Sequence, residues 1–218
     1  MIDGQSAETS SVLRRAAEVE RRAREAVSVN EPLLFVVWGA VYLLGYGSLY
    51  VNVRWADGSP PVVGFVLFGA MAAFGFLVTF AEMRKRFRGL RGGTYETVGR
   101  MIALWAVLVV AWIALLALAV TQYRDRENAM SEIGAVSGAT ATLLIGVMYL
   151  LIARNFPAWQ TGLGLALVSV GAGGLVVPPE HSSLFVAVGA GASFFSAATY
   201  SAFRRRLDRA GSGARGHA

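Results

Sequence analysis

Four aromatic residues recur at intervals of four in the first long apolar stretch of the chain: Trp38, Tyr42, Tyr46 and Tyr50. In an α-helix each step of four residues overshoots a full turn by about 40°, so these side chains share one face over about 18 Å. Three of them carry hydroxyls, which need hydrogen-bond partners in an apolar medium. The face is therefore predicted to point into the protein or towards a cavity that water can reach.

Such an aromatic face can form one wall of a ligand site. Its rings can attract an organic cation through cation–π contacts or stack on a flat molecule. Trp105 and Trp112, seven residues apart on a later apolar stretch, can border the same cavity. The alternative is that the rings only pack between helices, with their hydroxyls bonded to backbone, Ser or Thr. The candidate ligand-binding residues are Trp38, Tyr42, Tyr46, Tyr50, Trp105 and Trp112.

Side chains for catalysis or metal binding are few. The chain has no cysteine, and its two histidines, His181 and His217, have no ligand-forming neighbours other than Glu180. It contains no H-E-x-x-H, G-x-S-x-G or P-loop motif. Ser193 and Ser196 lie in the last apolar stretch without a nearby base. We therefore predict no catalytic residue, no metal site and no cofactor, and expect that the protein is not an enzyme.

The charged residues lie in short islands separated by stretches of about 20 residues, the length at which a helix crosses the hydrocarbon of a bilayer. With 55% hydrophobic and 16% charged residues, the composition is typical of an integral membrane protein. We predict an all-α fold, a bundle of six transmembrane helices within residues 32–203. The predicted spans are 33–53, 62–83, 101–122, 133–153, 158–177 and 182–203.

The basic residues predict the orientation of these spans. With the N-terminus inside, 17 Lys and Arg residues lie in inside segments and three, Arg54, Arg124 and Arg126, in outside segments. Positive residues favour the cytoplasmic side, so both termini are expected there, in a plasma or bacterial inner membrane. The basic residues keep these loops on the cytoplasmic side, and this role accounts for their excess. No nucleic-acid partner is therefore expected.

Two segments flank the predicted bundle. Residues 1–31 form a cytoplasmic segment whose stretch 11–28 has an apolar stripe at helical spacing, and this pattern predicts a short amphipathic helix. That helix could lie on the membrane or contact a protein partner. Residues 204–218, rich in Gly, Ala and Arg, are predicted to be a disordered cytoplasmic tail.

Acidic residues are confined to the ends of the spans. Glu82 stands four residues before Arg86, where the two can pair along a helix, and Glu132 begins the fourth span, where the helix dipole favours an acid. Carriers coupled to protons or sodium commonly place an acid near the bilayer centre. Since none of the predicted spans has one there, ion coupling is not expected.

Small residues at four-residue intervals mark a ridge on the fourth span: Gly134, Gly138, Thr142 and Gly146. Such ridges allow close approach of helix backbones in membranes. Several glycines in the fifth and sixth spans also allow close packing. The ridge therefore predicts close packing of spans four, five and six or a contact between copies of the chain.

Two functional classes remain after these exclusions. The first is a small membrane transport protein, or the membrane subunit of a transporter, that binds a small organic ligand against the aromatic face. The second is a non-catalytic interaction or regulatory protein acting through its N-terminal helix and the basic loop around Arg84 to Arg91. The expected partners are the lipid bilayer, a small organic ligand, and a cytoplasmic protein or a second copy of the chain.

Overall fold

The computed structural model describes residues 30–55, 62–87, 93–123, 129–152 and 158–214, and these residues are helical with no strand among them. Six of the helices are long and apolar enough to cross a membrane, which confirms the prediction of an all-α protein with six candidate spans. The predicted N-terminal helix and the connections between the first five spans lie outside the described residues.

The helix boundaries agree with the predicted spans to within a few residues at most ends. The first span comprises Glu31–Ala40, a π-helical segment Val41–Tyr46, and Gly47–Trp55. The other five are Val62–Phe87, Gly93–Tyr123, Ala129–Ile152, Ala158–Val176 and Pro179–Ala214.

The first span begins at Glu31, with Asn30 at the cap position and Pro32 in the first turn, where a proline costs no helix hydrogen bond. The Asn30 side chain, however, makes no capping bond. Its Oδ1 instead accepts a hydrogen bond of 3.4 Å from Arg205 Nη1. This contact places the start of the first span and the end of the sixth on the same side of the bundle, as an even number of spans requires.

The sixth helix is longer than predicted at both ends. It starts at Pro179, where a proline costs no helix hydrogen bond, and the Ser182 hydroxyl donates to the Gly174 carbonyl 2.7 Å away across the hairpin. At its other end it continues to Ala214, although residues 204–218 were predicted to be disordered. The arginines, alanines and leucine that follow Phe203 are good helix formers, and they outweigh the glycines that suggested disorder.

The bundle has a core of four helices and two peripheral ones. The first span packs along the sixth, the fourth along the fifth, and the sixth also contacts the fourth and fifth. The second span packs on the first, and the third on the fourth. Only 11% of the second span's apolar window and 6% of the third's are buried inside the protein, and such exposed apolar helices fit a lipid bilayer.

Glycines allow the fourth and fifth spans to touch through their backbones. A Cβ built on Gly146 would lie 2.6 Å from Val168 N, and one on Gly171 would lie 2.5 Å from Leu143 N. Neither position therefore has room for a larger residue. Close approach of this kind gives the dispersion contacts that hold helices together in a bilayer, where burial from water no longer drives association.

The predicted small-residue ridge is divided between two neighbours. Gly146 faces the fifth span, while Gly138 lies against the ring of Tyr46 in the first span and Thr142 lies beside Tyr42. A Cβ on Gly134 would have no heavy atom within 4 Å. The ridge thus joins the fourth span to both the first and the fifth.

Replacing Gly171 with alanine should lower the free energy of unfolding by about 1 to 3 kcal/mol, because the new Cβ overlaps the backbone of Leu143. Gly162→Ala is the matched control on the same helix, since a Cβ there meets nothing within 4 Å. It should change the stability by less than about 0.5 kcal/mol. Unfolding in mixed micelles, followed by circular dichroism, measures both, and equal stabilities of the two variants would contradict the packing described.

Candidate functional site

A cavity of about 250 Å³ lies between the first four spans. Its walls carry residues from the middle of each of these four candidate spans, such as Tyr42, Ala72, Trp112 and Ala141, so it lies near mid-depth of the spans. The lining residues are all apolar or aromatic: Trp38, Val41, Tyr42, Tyr46, Phe68, Ala72, Phe76, Trp105, Leu108, Val109, Trp112, Ala141, Leu144 and Ile145.

The cavity brings together five of the six residues proposed from the sequence as ligand-binding: Trp38, Tyr42, Tyr46, Trp105 and Trp112. Tyr50 does not line it. The Tyr50 ring lies beside His181 at the start of the sixth helix, with 6.4 Å between ring centroids. The aromatic face of the first span thus borders the cavity over three of its four members.

The π-helical segment Val41–Tyr46 explains why Trp38, Tyr42 and Tyr46 share this wall. A π turn, closed by i→i+5 hydrogen bonds, holds more residues than an α turn, so a step of four falls short of a full turn instead of overshooting it. The side chains therefore rotate in one direction around the helix axis from Trp38 to Tyr42 and back again from Tyr42 to Tyr46. The rings of the two tyrosines stack with centroids 5.4 Å apart. π-Helical turns occur often at functional sites.

Two hydrogen bonds fix the tryptophans that flank the cavity. Trp38 Nε1 donates to Thr79 Oγ1 of the second span at 3.1 Å, and Thr79 in turn donates to the Gly75 carbonyl at 2.8 Å. Trp112 Nε1 donates to the Ser137 carbonyl of the fourth span at 3.1 Å. Each bond ties a peripheral span to the core, and each leaves the indole with no N–H for a ligand.

The hydroxyl of Tyr42 also has a protein partner. It lies 3.5 Å from Thr142 Oγ1, which donates to the Gly138 carbonyl at 2.8 Å. Because threonine has one hydroxyl hydrogen and the shorter bond uses it, the Tyr42 hydroxyl is the donor in the longer one. This contact joins the first and fourth spans behind the cavity.

The hydroxyl of Tyr46 has no hydrogen-bond partner among the described residues, although only 5% of this residue is exposed. Among the described residues, Ser201 Oγ is a side-chain atom that is fully enclosed by protein and has no hydrogen-bond partner. The Tyr46 oxygen is not enclosed in this way, so it keeps contact with open space, and Tyr46 borders the cavity. The Tyr46 hydroxyl is thus an unused donor and acceptor on a residue that lines the cavity.

Phe68 and Phe76 of the second span line the cavity and were not identified from the sequence. Phe76 meets the edge of Trp38 at 5.2 Å between ring centroids, and Phe68 lies 4.8 Å from Tyr46. Their spacing of eight residues, with Ala72 midway, is a helical stripe like that of the first span. Phenylalanines are common in lipid-facing helices, so this stripe carried no distinguishing signal.

Among the residues that the structure describes, no charged side chain lines the cavity. Bringing a cation to the middle of a bilayer costs about 3 kcal/mol or more, and no carboxylate is present to offset that cost. A cation–π contact recovers about 2 kcal/mol. The balance favours an uncharged molecule over the organic cation that the aromatic face alone also allowed.

The bond between Trp38 and Thr79 should appear as a coupling between their mutations. Trp38→Phe and Thr79→Val should each destabilise the protein, and the double variant should lose less than the sum by about 0.6 kcal/mol. Trp112→Phe combined with Thr79→Val is the control and should be additive, since Trp112 bonds to Ser137. Unfolding free energies in mixed micelles give both cycles, and additivity in the first would contradict the bond.

No family model matches the chain, and no curated protein or solved structure matches it either. The function must therefore be inferred from the residues of the cavity.

Proposed function

We propose that this protein holds a small uncharged organic molecule in the aromatic cavity and serves as a membrane transport protein, alone or as the membrane subunit of a transporter. The observation that carries the proposal is the position of the cavity: it lies at mid-depth and is lined from four spans. Ligand sites in transporters commonly lie at this depth, where alternating movements of the helices can expose them to either side.

The arrangement of the helices supports movement around this site. Spans two and three form two sides of the cavity, and each packs mainly on a single neighbour. Where span two meets span one, Gly75 lies against Val41 and Gly45 against Phe68, so a glycine stands on one side of each contact. The close-packed core of spans one, four, five and six then serves as the fixed part of the molecule.

The energy for transport is proposed not to come from an ion gradient. Among the described residues no group of three or more His, Cys, Asp or Glu could hold a metal ion, and the cavity has no acid. Transport would then be passive or driven by a cytoplasmic partner. The basic island around Arg84 to Arg91 is a docking site for such a partner if it faces the cytoplasm, as the distribution of arginines favours.

Filling the cavity should remove its occupant. Ala72→Leu adds three carbon atoms inside the cavity, while Ala73→Leu adds them on the exposed side of the same helix. We expect mass spectrometry of organic extracts to find a small molecule with the purified wild type and with Ala73→Leu, but at least about tenfold less of it with Ala72→Leu.

Reconstitution of the wild type into liposomes should then speed movement of that molecule across the bilayer. If the wild type carries nothing beyond bulk lipid, the proposal fails. If deletion of residues 1–28 instead removes a co-purifying protein while the bundle stays folded, the chain is an interaction or regulatory protein.

The proposed orientation, with both termini in the cytoplasm of a cell with a plasma or inner membrane, has its own test. A reporter that is active only outside the cytoplasm should be inactive when fused after Ala218 and active when inserted in the connection 56–61. The opposite pattern would reverse the topology. In either case, the bond between Asn30 and Arg205 requires that the start of the first span and the end of the sixth lie on the same side of the membrane.

A further inference from the structure

The second and third spans leave a gap at the side of the cavity. Within the described ranges the two helices share no extended contact with one another, since one packs on span one and the other on span four. Both nevertheless contribute lining residues, among them Phe76 and Val109. The cavity is therefore bounded on this side by two helices that stand apart, and the medium beyond them at mid-depth is lipid.

The lining favours a ring compound with an acceptor. Seven of the lining residues are aromatic, and their flat side chains match a flat molecule better than a branched chain. The free hydroxyl of Tyr46 can donate one hydrogen bond to it, whereas the donors of Trp38, Tyr42 and Trp112 are already bonded to protein. Trp105 is near the end of its candidate span, where lipid head groups and water can accept a hydrogen bond from its N–H.

We infer that the occupant is a lipid-soluble ring compound bearing a carbonyl-type acceptor, as quinones do, that it enters from the bilayer between spans two and three, and that Tyr46 binds the carbonyl. This inference rests on the proposed function and narrows it to one chemical class. A hydrogen bond at the buried Tyr46 distinguishes this class from plain hydrocarbons, and the gap between the spans distinguishes lipid-soluble compounds from polar solutes that arrive through water.

Three probes test the inference with protein in lipid nanodiscs, and empty nanodiscs correct for partition into lipid. Tritiated 2-methyl-1,4-naphthoquinone has the ring and the acceptors, 2-methylnaphthalene has a ring without them, and a 3-farnesyl derivative of the quinone carries a tail that must remain in the bilayer. Because the chain has no cysteine, no thiol can capture the quinone covalently.

The wild type should bind the quinone about five to ten times more tightly than methylnaphthalene, and the farnesyl derivative should compete with the tritiated quinone for the same site. Tyr46→Phe keeps the ring and removes the hydroxyl, so it should abolish most of this preference while binding of methylnaphthalene changes less than about twofold. Tyr50→Phe is the matched control, because it removes a hydroxyl about one helical turn from Tyr46 and outside the cavity. This variant should retain the full preference for the quinone over methylnaphthalene.

Each contrary result overturns a named part of the inference. An unchanged preference in Tyr46→Phe, with the variant monodisperse on gel filtration, shows that Tyr46 does not bind the carbonyl. Failure of the farnesyl derivative to compete rules out entry from the bilayer between the spans. If none of the probes binds while the wild type still retains a molecule that Ala72→Leu loses, the chemical class is wrong and the proposed function stands. If neither the probes nor a retained molecule is found, both fail.

Discussion

Close contact between helix backbones is the interaction on which the rest of this structure depends. In a bilayer, apolar side chains are as well solvated by lipid as by protein, so helices associate through tight packing and a few hydrogen bonds. Gly146 and Gly171 provide that packing between the fourth and fifth spans. With the sixth and first spans, these helices form the core on which the other two pack.

The cavity follows from the unequal packing. Spans two and three are each held mainly by one neighbour, and each is pinned by one indole hydrogen bond, Trp38 to Thr79 and Trp112 to Ser137. Nothing in the described residues draws the two spans together over their length, so the space between them stays open. The cavity therefore has two walls from the core and two from spans that each pack mainly on one neighbour.

The spans contain few polar side chains, and the hydrogen bonds of these side chains determine which polar groups remain unbonded beside the cavity. The described hydroxyls of Ser193 and Thr199 return to carbonyls four residues earlier in their own helix, which satisfies them at little cost. Tyr42 reaches Thr142 on another span. Tyr46 differs from Tyr42, because its ring is held by Gly138 and Phe68 while its hydroxyl bonds to no described residue. A protein that needed only packing at this position could use phenylalanine.

The sequence by itself determined the six spans and most of the aromatic wall, because apolar length and four-residue spacing are local properties that survive in any arrangement of the helices. It could not determine that Val41–Tyr46 forms a π turn, that Tyr50 leaves the wall, or that Phe68 and Phe76 join it. Those outcomes depend on which helix faces which. Only the tertiary structure decides that, because glycine, tyrosine and phenylalanine contacts between distant spans fix the rotation of each helix about its axis.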